Sequence, residues 1–329
     1  MAGTPHTGAP ARRRGRIGLR VATALASAGL VLAGLARPPQ VRAADYSTGG
    51  VFLPLGHGAR AQGLGGAGVP VVRDDAAAYW CPSNLAWLED AAGATFMHAQ
   101  IFPEVGNGYE SLSYGRRFGR RLGGEDQALR PSRWALGFFF GHLGLDFEAG
   151  GWSENRLQAA AAIAFNNFTT IGAAVRWLGL ANDFDGGDAS GAGFDLSVSM
   201  LLSPHLFLGI VGRDVWTQVD FDTGSSETQN FSMELGLEYR DRRRGAAVAH
   251  LVLREGTLGR GNLGLEWRAW RDVLALRGGW SVETSGESRN FPSAGAGIAF
   301  SRFVFDYGAT FDGEEATGVT QRVSLHVGL

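Results

Sequence analysis

The chain has 329 residues, a formal net charge of −2, 45% hydrophobic and 19% charged residues, and a mean hydropathy of −0.04. Beyond residue 43 no apolar run reaches the roughly 20 residues of a spanning helix, so a helical membrane bundle is excluded. Cys81 is the only cysteine, which excludes a disulfide framework, a CxxC redox motif and a four-cysteine zinc site. Lysine is absent, so P-loops and S-x-x-K nucleophiles are excluded as well.

Residues 1–43 read as an export signal. Arg12, Arg13, Arg14, Arg16 and Arg20 form a positive start, Val21 to Ala36 is apolar, and Val41-Arg42-Ala43 is a small-x-small cleavage site. This segment holds seven Arg and no acid, so the formal charge of −2 becomes −9 without it. A chain that acidic repels phosphates and is no partner for nucleic acid.

Residues 44–92 do not alternate and are rich in Gly. Gly63-Leu64-Gly65-Gly66-Ala67-Gly68 matches the dinucleotide pattern G-x-G-x-x-G. That motif works between a buried strand and a helix start, and here no apolar strand precedes it. The glycines are read instead as tight backbone packing. Asp74-Asp75 before Ala76-Ala77-Ala78 reads as a helix N-cap, with Pro82 ending the helix. A metal pair is the weaker reading, because adjacent helical side chains diverge. Arg60 is expected to pair with one of the two aspartates. The motif positions are Gly58, Arg60, Gly63, Gly65, Gly66, Asp74, Asp75, Tyr79, Pro82 and Leu85. This stretch resembles the N-terminal signature of the FadL/PorV superfamily of outer-membrane β-barrels, G-A-R-A-x-G-M-G-G-A, then D-D-A-x-A, then N-P-A-G-L. Leu64, Cys81 and Ser83-Asn84 depart from it. The nearest resemblance is to PorV/PorQ-type members. It implies a plug or hatch inside a barrel.

Residues 93–329 alternate with period two, which places alternate side chains in opposite environments. Val323, Leu325 and Val327 alternate with Arg322, Ser324 and His326. About fourteen strands of nine to eleven residues are expected, long and even in number as in transmembrane barrels. Short connections at 166–167, 203–204, 241–244, 271–272 and 301–302 alternate with long ones at 144–154, 180–191, 214–229, 284–293 and 312–318. The connections at 119–132 and 255–259 break this rule. The fold class is therefore all-β, a transmembrane antiparallel barrel of about 14 strands with an N-terminal plug. Trp134, Trp177, Trp267, Trp270 and Trp280 read as interfacial girdle residues.

Arg176, Asp195, Glu234, Glu238, Glu266, Arg268, Asp306 and Arg322 fall on the polar, lumen-facing side. Pairing across strands is preferred to lining a solute path. No zincin, G-x-S-x-G or metal spacing occurs, so no enzyme activity, cofactor or metal is expected. The localisation expected is the cell outer membrane, with its lipid as a partner. The resemblance implies either passage of hydrophobic small molecules, long-chain fatty acids among them, or a PorV-like role in type IX secretion with secreted proteins as partners. A structural barrel is the third alternative. Passage is preferred, with a gap in the wall expected at the small residues Gly137, Gly141, Gly172 and Gly209.

Overall fold

A computed structural model describes residues 55–102, 107–122, 130–147, 150–183, 187–241, 244–270, 272–284, 288–312 and 318–329. The expected signal, residues 1–43, and the start of the expected plug, residues 44–54, lie outside the described residues. The strands are β1 (Ala92–Phe102), β2 (Asn107–Arg121), β3 (Ser132–Phe147), β4 (Gly150–Ala164), β5 (Thr169–Asn182), β6 (Ala189–Ser203), β7 (Leu206–Phe221), the two-residue β8 (Ser226–Glu227), β9 (Ser232–Asp241), β10 (Gly245–Arg254), β11 (Thr257–Ala269), β12 (Leu274–Glu283), β13 (Arg289–Phe300), β14 (Phe303–Phe311) and β15 (Val319–Gly328). Every long strand pairs antiparallel with its sequence neighbours, and β1 pairs β15. Fourteen long strands thus close into an up-and-down barrel, which removes the open edges an apolar sheet cannot leave bare.

The two halves of the wall differ in height. Strands β2–β7 run 14 to 16 residues, whereas β9–β15 run 9 to 13. The stretch 144–154, expected as a long connection, is instead strand from both sides, with Phe147 pairing Gly150. Its residues do not alternate apolar with polar in the usual sense. Leu145, Trp152 and Glu154 face inward while Gly144, Asp146, Gly151 and Ser153 face outward, so the sequence pattern resembles a loop. At 255–256 the connection is a two-residue turn, with Glu255 and Gly256 both at positive φ.

One rim carries Ala92, the C-terminal Leu329 and the connections 122–131, 165–168, 204–205, 242–244, 270–273 and 301–302. It is called the near rim here, and the other the far rim. The outward face of the wall is apolar. Leu263, Leu265, Trp267, Ile298, Phe300 and Phe305 each expose 55–75% of their surface. The opposite positions are shielded and polar. Glu238 is fully buried while its neighbours Leu237 and Tyr239 are 41% and 55% exposed.

Residues 55–91 fill the ring. They form α1 (Ala59–Gly63), α2 (Gly68–Val71), α3 (Ala77–Trp80) and a 3-10 turn over Pro82–Trp87. Helices this short cannot stand alone. They are held by packing, with Leu64, Val69, Ala77, Ala78, Cys81 and Leu85 wholly buried. The high Gly content acquires its reason here. Going round the wall, Gly308 faces Ala59, Gly295 faces Gly63, Gly264 faces Leu64, Gly236 faces Pro70, Gly209 faces Val69, Gly137 faces Ala78, and Gly172 faces Ser83. A Cβ at Gly308, Gly264 or Gly236 would sit 2.6 Å from plug atoms, and one at Gly137 2.9 Å. The wall backbone touches the plug directly, without side chains between.

Candidate functional site

The collar overturns one expectation. Gly137, Gly172 and Gly209 do not leave a gap in the wall, because Leu85, Ser83 and Val69 of the plug occupy the space. Gly141 is filled by Tyr109 and Phe139. Passage through the wall at these glycines is closed.

Three successive rows of inward residues on β15 and β1–β7 show how the lumen changes. The row nearest the far rim reads Arg322, Ala99, Tyr109, Leu143, Glu154, Leu180, Ala189, Phe221. The next reads Ser324, Met97, Ser111, Gly141, Arg156, Leu178, Gly191, Val219. The third reads His326, Thr95, Ser113, Phe139, Gln158, Arg176, Gly193, Thr217. Apolar side chains dominate the far end and polar ones the plug level. Met97, Ala99, Ile101, Tyr109 and Leu143 pack with Leu55 and Leu145. Leu178, Leu180, Ala189 and Val219 pack with Trp152 and Phe221. These two clusters line the far-rim end of the lumen, the vestibule, on its β1–β7 side; on the opposite side Arg254 and Arg260 meet Glu283 and Arg289 meets Asp312.

At plug level the charges are paired across the wall. Arg60 meets Glu266 at 2.8 Å rather than Asp74 or Asp75. The reason is the stack of partners around that carboxylate. Glu266 also holds Arg277 at 2.8 Å and Arg268 at 2.9 Å, and Arg277 reaches Asp306 at 2.6 Å. Arg73 pairs with Glu238, which also takes Arg240 at 2.9 Å. Arg213 binds Glu234 at 2.5 Å and donates to the Tyr79 and Trp80 carbonyls. Arg176 binds Asp195 at 2.8 Å and also Asp214. The β6–β7 register breaks there, opposite Asp195, and Asp214 sits at φ 53°, a left-handed conformation that costs energy for a non-Gly residue. Asp195 receives the Asp214 N–H at 2.9 Å, which holds the bulge closed.

The plug motif residues divide in role. Asp74 does not cap the helix at its first residue. Its carboxylate accepts from the Ala76 N–H at 3.0 Å, and Ala76 itself takes the cap position of α3. Asp75 turns to the wall, where Thr95, Ser113 and His326 surround it. Pro82 opens the 3-10 turn. The Tyr79 hydroxyl accepts from the Gly56 N–H, Gly58 precedes α1 at φ 79°, and Leu85 packs on Gly137. Gly65 and Gly66 adopt φ of 74° and 78°, and the Gly65 N–H donates to Ser293. The glycine-rich stretch is a turn against β13, with no strand before it among the described residues.

Burial shifts the plug's own titrations. The His57 imidazole is pushed down to about 4 by burial, opposed by Asp75, and is bonded to Ser111 and Ser113. Burial and the neighbouring Asp75 raise Asp74 to about 6. Burial lowers Arg73 to about 10, against Glu238.

Two guanidiniums, the buried Arg322 and the half-buried Arg156, stand apart. Arg156 lies 4.8 Å over the Tyr79 ring and donates to Gln158 at 2.6 Å. Arg322 donates to Thr310 at 3.3 Å. Neither meets a carboxylate among the described residues, and the Nε of each lacks a partner. Both lie in the rows bounding the vestibule. Of the two, the sequence singled out only Arg322. Arg156 could have been found from its even-numbered, inward parity on β4. On the near side of the plug a cavity of about 600 Å³ is lined by Arg60, Arg277, Asp74, Asp306 and His326 among others.

No family model and no curated protein matches the chain. Solved structures do match. The CymD monoaromatic hydrocarbon channel superposes with a TM-score of 0.62 at 15% identity, covering 85% of this chain and 99% of its own. The toluene transporter TodX of P. putida gives 0.56 at 14%, covering 83% and 99%. A FadL homologue of Pseudomonas aeruginosa gives 0.55 at 12%, covering 82% and 97%. The chain therefore shares its barrel fold with these structures.

Proposed function

We propose that this protein is exported by residues 1–43, inserts in the cell outer membrane with its near rim toward the periplasm, and passes hydrophobic small molecules inward. The short turns of the near rim fit the periplasmic side of such barrels. The observation that carries the reading is the divided lumen. On its β1–β7 side the far-rim end of the lumen is lined by apolar clusters, and the ring beneath is filled by a plug sealed with ion pairs. A pore for hydrated solutes needs the reverse, a polar and open lumen. The names of the structures that share the fold, channels for monoaromatic hydrocarbons and toluene, support the same class of cargo. Arg156 and Arg322 add a preference. An unpaired buried guanidinium is stabilised by a carboxylate, so a hydrophobic acid, its tail on Leu143 and Leu178 and its head between the arginines, fits better than a neutral hydrocarbon.

The test compares a deletion strain with its parent for uptake of labelled long-chain fatty acid and of toluene. Loss of fatty-acid uptake, restored by the parent gene and not by Arg156→Ala/Arg322→Ala, is expected. Normal uptake with lost surface display of secreted proteins would move the protein to the PorV-like secretion role. No change in either would leave a structural barrel.

A further inference from the structure

Ten arginines of this protein meet a carboxylate, and six of those that meet none among the described residues cluster in one sector. Arg60, Arg73, Arg176, Arg213, Arg240, Arg254, Arg260, Arg268, Arg277 and Arg289 each meet one. At the near-rim ends of β2 and β3, Arg116, Arg117, Arg120, Arg121, Arg130 and Arg133 meet none among the described residues. Arg121 and Arg117 donate to carbonyls of the plug's end, Leu88, Glu89 and Asp90. Arg130 donates to the Asn167 carbonyl and lies 4.4 Å over the Phe168 ring. Arg116, Arg120 and Arg133 are exposed.

These cations border the apolar outer face. Arg116 pairs in register with Leu136, which is 47% exposed, and Phe118 with Trp134. Phe118 and Trp134 stack at 4.0 Å, and Arg116 lies 5.3 Å over the Phe118 ring. Next along the wall, Ile163 and Phe165 are 55% and 64% exposed. Toward the rim, the outward face of β2 runs Leu112, Tyr114, Arg116, Phe118, Arg120, so apolar side chains give way to a stacked aromatic pair flanked by unpaired guanidiniums. An acyl chain with a phosphate headgroup meets these environments as it nears the interface.

We infer that this sector of the near rim is a binding site for the headgroups of anionic glycerophospholipids in the adjoining leaflet. The guanidiniums supply paired N–H donors for phosphate oxygens, and the Phe118–Trp134 stack fixes depth at the interface. An acidic protein would satisfy the charge but has no use for the apolar continuation. The inference rests on the barrel spanning a membrane, as proposed above.

The full-length barrel, purified in mild detergent, is offered phosphatidylglycerol or phosphatidylcholine of the same acyl chains, and retained lipid is counted by native mass spectrometry. Retention of phosphatidylglycerol over phosphatidylcholine is expected. The variant Arg116→Gln/Arg120→Gln/Arg133→Gln should weaken it on the order of a hundredfold. Arg244→Gln/Arg302→Gln, two charges elsewhere on the same rim, should leave it within about twofold. Heat-modified gel migration reports whether each barrel is folded, and liposome insertion whether it spans a bilayer. Equal retention of both lipids, or equal losses in both variants, would overturn the site while leaving the barrel reading intact. Failure of the parent to insert would overturn the reading beneath it. Retention of a poly-glutamate peptide by the parent, with no preference between lipids, would assign the patch to an acidic protein and overturn the lipid.

Discussion

The lower lumen and the upper lumen of this barrel are built from the same strands and obey opposite rules. Below, inward positions are glycine or charged, and the space is filled to backbone contact. Above, on β1–β7, many inward positions are leucine, alanine or aromatic, with Tyr79 of the plug beside Tyr109 and Leu143, while on β10–β14 Arg254 and Arg260 meet Glu283 and Arg289 meets Asp312. The lower arrangement gains from being closed. The absence of side chains at Gly308, Gly264 and Gly236 lets plug and wall meet, and Glu266 and Glu238 each hold more than one cation. The upper arrangement holds two shielded cations without anions, Arg156 and Arg322. A protein selected only for stability would have matched them, as it matched Arg60, Arg73, Arg176, Arg213 and Arg277 at plug level.

The largest effect expected from breaking this contrast comes at the collar. Gly172→Leu forces a side chain into the Ser83 backbone, which cannot move without shifting the 3-10 turn. Overpacking of this kind costs roughly 1–3 kcal/mol or more, here directed at plug seating. Planar-bilayer conductance should rise in the variant. Gly278→Leu adds the same side chain where no atom lies within 4 Å, and should stay silent. Equal conductance in the two would mean the plug is not held by the collar.

Glu266→Gln should follow closely. It leaves Arg60, Arg268 and Arg277 around a neutral amide, and stranding buried charges costs about 3–5 kcal/mol. Thermal unfolding of the heat-modifiable band measures it. At the outer face, Leu265→Arg should cost about 2–4 kcal/mol if it meets the bilayer centre. Ser324 cannot serve as a lumen-side control for such a change. Its hydroxyl accepts the Ala59 N–H and is buried under the plug.

How much of this the sequence disclosed depends on what each region needed. Strand periodicity on β9–β15 was legible because one face meets an apolar surround and the other a polar interior. The upper halves of β3 and β4 were not. There the faces exchange character, with Leu143 and Leu145 inward and His142 outward, so 144–154 looked like a loop. The buried sides of Glu234, Glu238 and Glu266 followed from parity alone. Their partners did not, because Arg60 and Glu266 are 206 residues apart and only the closed ring brings them together. The glycines were visible as a count and misread as space, since a missing side chain is equally consistent with a gap and with a neighbour that fills it.

The smaller effects concern pH and oppose each other. His57 is neutral when folded because burial lowers it from 6.5 to about 4. Its contribution is therefore complete above about pH 6.5 and is lost as pH falls toward 4, by up to about 3 kcal/mol. Plug seating, followed by the fluorescence of Trp80 and Trp87, should loosen over that window, and His57→Gln should flatten the response.

Asp74 runs the other way. Burial and the charge of Asp75 raise it from 3.8 to about 6, so the folded protein holds its proton more tightly than the unfolded chain. Its contribution is complete below pH 3.8 and declines as pH rises to 6, after which the cost is constant. Asp74 lines the near-side cavity and is partly exposed, which discounts the effect to about 1 kcal/mol. Asp74→Asn keeps an oxygen acceptor for the Ala76 N–H and cannot ionise. It should raise plug stability at pH 7.5 and leave it unchanged at pH 4, steepening the acid loosening that His57 causes. A variant less stable than the parent at pH 7.5 would show that the Asp74 charge is needed, through Arg60 or His326 across the cavity, and that the lower lumen is balanced by the whole network rather than pair by pair.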